Sequence, residues 1–344
     1  MQKQEKRGQK NDKFLHLYKV FDKTIIIVYN ERVLVIKRCF MYIVDMHCDT
    51  LSRVSASQGM KNEYNLSKNY PHLQFFAHFS HTKLGTAAER RRKALEAANI
   101  YLSECERLSI TRVSSTQDVF SVSDGGITAG MFTIEGGAGL FADSPELDVL
   151  YRAGLRIMGI AWDRNELSSS AMEIIDTGLT LEGRKMIWRM AEMGITLDVS
   201  HLSDQAFYEA FELSPLPHIA THSNFRAVCD HDRNLTDNMA KMIAARGGVI
   251  GLNLYPEFLC EDGYADTDDI LRQVDHGLSL VGDRALAFGF DIDGTDGKYP
   301  SGIDTTRSIH DQVIELLLSK YPVSTVERIA GENVIEFLKG NLIS

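Results

Sequence analysis

The sequence has 344 residues, 44% hydrophobic and 24% charged, which is the balance of a globular chain long enough to bury a large core. Its formal charge of −10 argues against a nucleic-acid partner, which requires a basic face. No stretch approaches the roughly 20 apolar residues of a membrane helix, and the scattered Cys39, Cys48, Cys105, Cys229 and Cys260, with no CxxC pair, point to reduced thiols in a cytoplasmic protein.

Residues 1–40 differ in character from the rest of the chain. Met1 to Lys13 is basic and polar, and β-rich runs come next at Thr24–Tyr29 and Val33–Ile36, around Asn30-Glu31-Arg32. Asp22, Lys23, Glu31 and Arg32 interrupt the apolar core of about 7–15 residues that a signal peptide needs. The reading is a disordered or non-native leader ahead of a true start at Met41, with an added β-hairpin as the alternative. Residues 41–344 are then expected to form a single domain.

From residue 43, short apolar runs alternate with amphipathic stretches. Strands are predicted at Ile43–His47, Leu73–Phe79, Gly130–Ile134, Leu155–Ile160, Ile195–Val199, His218–Thr221, Val249–Leu254 and Ala285–Phe290. Helices are predicted at Thr86–Leu108, Leu181–Met193, Asp204–Leu213, Asp237–Arg246, Asp268–Val281, Ile309–Lys320 and Val323–Leu338. Asp237 and Asp268 supply acidic first turns, and Gly194 and Gly247 supply stops. Strands alternating with helices imply a parallel sheet, and eight of them fit a closed (β/α)8 TIM barrel. An open doubly wound sheet would more readily show a glycine-rich loop after its first strand; here that position reads His47-Cys48-Asp49-Thr50.

Acids and histidines collect at the strand ends. His47 and Asp49 end strand one, Glu135 follows strand three, His201 strand five, His222 strand six and Asp291 strand eight. In a barrel all six lie at the C-terminal mouth, where such folds place their chemistry. Residues two apart share a strand face, so His47 and Asp49 point together and Cys48 points to the helix layer. A mixed imidazole and carboxylate set suits zinc, with manganese or iron also fitting. Strand four ends Met158-Gly159-Ile160-Ala161-Trp162-Asp163, without a lysine that could be modified into a bridging anion. Glu135 is therefore the expected bridge, with His47 and Asp49 on one metal and His201 and His222 on the other, and Gly136-Gly137 letting the backbone approach closely.

The segments Val44-Asp45-Met46-His47-Cys48-Asp49-Thr50, Thr133-Ile134-Glu135-Gly136-Gly137, Gly178-Leu179-Thr180 with Gly183-Arg184, Leu197 to Ser203, Thr221-His222-Ser223-Asn224, Asp232 to Asp237 and Gly289 to Gly294 make the chain from about Met41 onward resemble the membrane (renal) dipeptidase family of zinc peptidases, in its bacterial type. The resemblance implies a metal-dependent, amidohydrolase-like barrel that hydrolyses dipeptides with two zinc ions and a metal-bridging hydroxide. It implies that Asp291 is the acid/base and Arg233 the clamp on the substrate's free carboxylate. From the residues alone, Arg233 would be a surface ion pair with Asp232 or Asp237. Where mammalian members carry a substrate-contacting histidine, this chain has Trp162; Trp162 and Asn165 are thus expected to face substrate, with Leu167 to Ser170 forming part of the rim. The expected partners are a small dipeptide and a second copy of the chain. The alternatives are another binuclear amidohydrolase acting on a carboxylate-bearing amide, and a non-catalytic barrel that only binds.

Overall fold

The structure, a computed structural model, describes residues 16–19, 24–29, 32–37, 41–57, 67 and 69–342. Strands β1 (His16–Lys19), β2 (Thr24–Tyr29) and β3 (Arg32–Lys37) form a separate antiparallel sheet in a unit spanning Met1–Met41. Both β-rich runs of the leader lie in this sheet, with Tyr29 paired to Arg32. A chain beginning at Met41 is expected to fold and keep full activity; loss of soluble protein on that truncation would assign the leader to the fold.

The unit from Tyr42 onward contains β4 (Ile43–Asp45), β5 (His72–Phe79), β6 (Thr111–Arg112), β7 (Thr128–Glu135), β8 (Ile157–Gly159), β9 (Thr196–Asp198), β10 (Ile250–Leu252) and β11 (Leu286–Phe288). The sheet order is β10-β11-β4-β5-β7-β8-β9, with neighbours parallel. The ring closes through a stave too short to be a full strand: Ile219 bridges Asp198 and Ala220 bridges Ile250, both in parallel. With Ile219-Ala220 between β9 and β10, the staves coincide with the eight predicted runs, and the fold is a (β/α)8 barrel. The unpredicted β6 pairs in parallel with the start of β7, at Ala129 and Gly130.

The staves are buried on both faces, as parallel strands covered by helices must be; Val44, Leu73, Phe75, Met131, Ile157 and Ala287 pack into one core cluster. The helices start where their caps dictate. Thr86 and Glu89 make a reciprocal capping box, and Thr180, Ser203 and Thr236 each accept a backbone N–H of the first turn. Gly194 ends its helix in the left-handed region, at φ 70°. The long C-terminal helix expected at Val323–Leu338 is interrupted: Val323–Glu327 and Asn333–Asn341 flank a π-helical turn at Arg328–Glu332. That turn lies against the start of β4, where a side chain at Gly331 would come within 2.6 Å of the Tyr42 carbonyl oxygen. No helix among the described residues is long and apolar enough to cross a membrane.

Candidate metal centre and active site

The barrel gathers its six strand-end acids and histidines into one place. Glu135, the last residue of β7, stands at the centre. Its Oε1 lies 2.5 Å from His201 Nε2 and 3.3 Å from His222 Nε2, while its Oε2 lies 3.3 Å from His47 Nε2. Asp49 Oδ1 and Asp291 Oδ1 approach the same His47 nitrogen at 3.9 and 3.8 Å. One carboxylate oxygen thus faces His201 and His222, and the other faces His47.

These atoms fit metal better than they fit one another. His47 Nε2, Asp49 Oδ1 and Glu135 Oε2 are buried without a hydrogen-bond partner among the described residues, a costly arrangement unless a cation satisfies them. Ligand atoms of His47, Glu135 and His222, and of His47, Asp49 and Asp291, lie within 4.8 Å of one another. Burial alone would pull the His47 imidazole down, but Glu135, Asp49 and Asp291 outweigh it and push it up to about 10. The same field favours any cation at that point. Burial keeps His201 and His222 low, with Arg233 and His47 adding to it, so both are neutral as metal ligands must be. Burial pushes Asp291 up to about 6, with Glu135 acting in the same direction.

Backbone geometry fixes the mouth. His201 and Asp291 hold left-handed conformations at φ 69° and 60°, which residues other than glycine rarely adopt and which concentrate at functional sites. One layer below, two buried carboxylates tie strand ends together. Asp45 Oδ1 accepts the N–H groups of His47 (3.2 Å) and Phe290 (3.0 Å), joining the ends of staves one and eight, and its Oδ2 pairs with His310 Nε2 at 2.8 Å. Asp198 Oδ1 accepts the N–H groups of Ser200 and Thr221, both at 2.9 Å, joining staves five and six. The Thr221 carbonyl is gripped from the far side: a Cβ on Gly251 or on Gly289 would run into its oxygen. Asn253, just past β10, donates to Asp291 Oδ2 at 3.0 Å. Sequence reasoning missed Asp198, Asn253 and His310. Asn253 had the strand-end signal that found the ligands, whereas nothing local marks His310 as the partner of a residue 265 positions away.

Residues 33–341 match the membrane dipeptidase family (peptidase family M19). The chain belongs to this family. An uncharacterized protein from the pqqA 5′ region of Klebsiella pneumoniae is 30% identical over 236 residues, covering 65% of this chain and 86% of that protein. The dipeptidase tcpJ of Claviceps purpurea is 28% identical over 226 residues, 64% of this chain but only 53% of that protein. Among solved structures, the metallopeptidase dipeptidase AC superposes with a TM-score of 0.80 at 25% identity, covering 89% of this chain and all (100%) of that one. A metallopeptidase from Rhodobacter sphaeroides, liganded with a phosphinate mimic of L-Ala-D-Ala, superposes with a TM-score of 0.79 at 24% identity over 88% of this chain and 99% of that one, and shows the shared fold. The chain is a dipeptidase of this metallopeptidase family, and a divalent metal is implied at its mouth.

The residues that the membrane dipeptidase resemblance assigned to substrate fare unevenly. Arg233 is not a surface ion pair: it is 4% exposed, its Nη2 donates to the His222 carbonyl at 3.2 Å, and its Nε has no partner. Asp237 pairs instead with His276 at 2.8 Å. Phe258 underlies the Arg233 guanidinium at 5.4 Å. Trp162 stands at the rim, its ring 6.1 Å from that of His201 and 38% exposed. Asn165 engages its side-chain polar groups within the chain. Its amide donates to the Ile160 and Asp163 carbonyls and accepts the Leu167 N–H, so it braces the loop after β8. Leu167 to Ser170 do not form the rim either. All four are at most 1% exposed; Ser169 bonds Thr177, Ser170 bonds the Trp162 carbonyl, and the loop folds back in antiparallel bridges to Leu179 and Leu202. A Cβ on Gly136, at φ +77°, would meet the Ser80 carbonyl and Trp162, and one on Gly137 would meet Leu167, so both glycines are required by close packing.

Proposed function

We propose that this membrane dipeptidase family member cleaves the peptide bond of dipeptides at a binuclear zinc centre, with manganese as a working substitute. His47 and Asp49 would hold one ion, His201 and His222 the other, and Glu135 both. The observation that carries this reading is the division of the Glu135 carboxylate, with Oε1 toward His201 and His222 and Oε2 toward His47. Bound divalent ions supply an activated water and polarise the carbonyl to be attacked. The chain does the rest. Asp291 takes the proton of the attacking water and returns it to the departing amine, a carboxylate held in place by Asn253. Arg233 pairs with the substrate's free carboxylate, and Trp162 walls the open side. Metal analysis of the purified protein beside a panel of L,L- and L,D-dipeptides tests the whole; a protein that binds metal but prefers other amides would favour the broader amidohydrolase reading. Cytoplasmic localisation and a homodimeric state complete the proposal; the free thiols Cys48, Cys105, Cys229 and Cys260 agree with the first.

The clamp has its own test. A buried guanidinium with an unpartnered Nε, in no ion pair among the described residues, is poised for a carboxylate. Truncating one partner of such a charge pair costs about 2–5 kcal/mol. Arg233→Met should therefore slow dipeptide turnover tens-fold to thousands-fold and leave the metal content unchanged. Dipeptide amides should already be poor substrates for the parent enzyme, and the substitution should penalise them far less. Equal penalties on acid and amide substrates would show that Arg233 does not read the carboxylate.

A further inference from the structure

The Asp198 carboxylate does more than join two strand ends. Its Oδ1 is occupied by two main-chain N–H groups, and its Oδ2 accepts the Thr221 hydroxyl at 2.5 Å. On its other side, Thr221 Oγ1 lies 2.8 Å from His222 Nδ1. A threonine hydroxyl has a single proton, and here the carboxylate takes it, because a carboxylate can only accept. The Thr221 oxygen must then accept from the imidazole, which places the ring proton on Nδ1 and leaves a bare lone pair on Nε2. That lone pair points to the place where Glu135 Oε1 (3.3 Å) and His201 Nε2 (3.0 Å) converge. Asp198, Thr221 and His222 are 3%, 1% and 1% exposed, so water is poorly placed to reset the chain of protons.

We propose that Asp198, acting through the Thr221 hydroxyl, fixes the tautomer of His222 and so makes it a metal ligand; both are positioning residues, and the inference rests on the proposed metal centre. The partner on one ring nitrogen decides which nitrogen is free to ligate, and losing such a partner typically lowers metal affinity 10–100-fold. The polarity of the chain can be reversed. In Asp198→Asn the carbonyl oxygen can still accept the Ser200 and Thr221 N–H groups. The amide would donate to Thr221 Oγ1, and Thr221 would then donate to His222 Nδ1. The ring proton moves to Nε2, where it blocks the ligand position.

The test uses the full-length protein, stripped of metal and then titrated with zinc against a chromophoric chelator, with ¹⁵N spectra of the histidine rings in the stripped state. The parent should show His222 protonated at Nδ1. Asp198→Asn should shift His222 to the Nε2–H form and lose 10–100-fold in zinc affinity. Thr221→Val should lose a similar factor, and Thr221→Ser, which keeps the hydroxyl, should stay close to the parent. Circular dichroism and thermal melts on the same samples separate tautomer effects from unfolding, and Thr221→Ser keeps the comparison alive should Thr221→Val fail to fold. A parent spectrum with the proton on Nε2, or unchanged zinc affinity in folded Asp198→Asn and Thr221→Val, overturns the proposal. Failure of the parent itself to bind zinc would instead overturn the metal-centre reading, while the spectra would still report the tautomer.

Discussion

Glu135→Gln should leave the purified protein with close to one metal ion per chain and almost no dipeptide turnover. The substitution keeps size and shape but removes the negative charge and turns one oxygen into an NH2 group that cannot ligate. Each Glu135 oxygen faces its own set of histidines, so one half of the centre loses its shared ligand whichever way the amide settles. The damage extends to the electrostatics, because Glu135 is the chief attraction favouring positive charge at His47. Inductively coupled plasma analysis of metal content, run beside turnover, reads both effects. Two tightly bound ions in the folded variant would show that another group is the bridge.

Asp291→Asn should separate chemistry from metal binding. A positioned acid/base contributes about 10²–10⁴-fold in rate, and at least that much turnover should be lost. The fold should tolerate the change, because Asp291 sits at φ 60° and asparagine is among the few residues that accept this conformation readily. An asparagine can still accept from Asn253, so its position should hold while its ability to carry a proton disappears. Most of the metal should remain, and a non-hydrolysable dipeptide mimic should still bind. Asp293→Asn is the control: its Oδ2 accepts the Thr50 hydroxyl at 2.8 Å, and its loss should cost much less. If the two variants exchanged behaviours, Asp293 would be the acid/base. Loss of both metals and of the fold in Asp291→Asn would make that residue structural.

The barrel was legible because a stave buried on both faces leaves a run of apolar residues, and because each candidate site residue lies at or just past the end of such a run. His47, Glu135, His201, His222 and Asp291 could be placed by counting, without knowing any contact. The sixth stave shows the limit: His218–Thr221 is a correct reading of position, yet only Ile219 and Ala220 pair. Long excursions were not legible. Leu167 to Ser170 look like a polar rim, but their hydroxyls turn inward to Thr177 and to backbone carbonyls once the loop after β8 folds onto Leu179 and Leu202. Asn165 has the composition of a binding residue and the contacts of a brace. Arg233 shows the opposite failure: its neighbours Asp232 and Asp237 suggest a surface pair, while the fold buries it beside His222.

The grip on the Thr221 carbonyl bears on how this protein can change over generations. Around most of the barrel, a core side chain can drift to another of similar volume while its neighbours adjust. At Gly251 and Gly289 nothing can adjust, because the obstacle is main chain belonging to the stave that carries His222. Even the smallest addition, a methyl group, must push that stave and its ligand sideways. The spacing of the proposed metal ligands is thereby insulated from ordinary repacking of the interior and exposed at two places that offer no purchase to binding or chemistry. Random mutagenesis selected for activity should accept many changes among the large apolar residues and almost none at these two glycines.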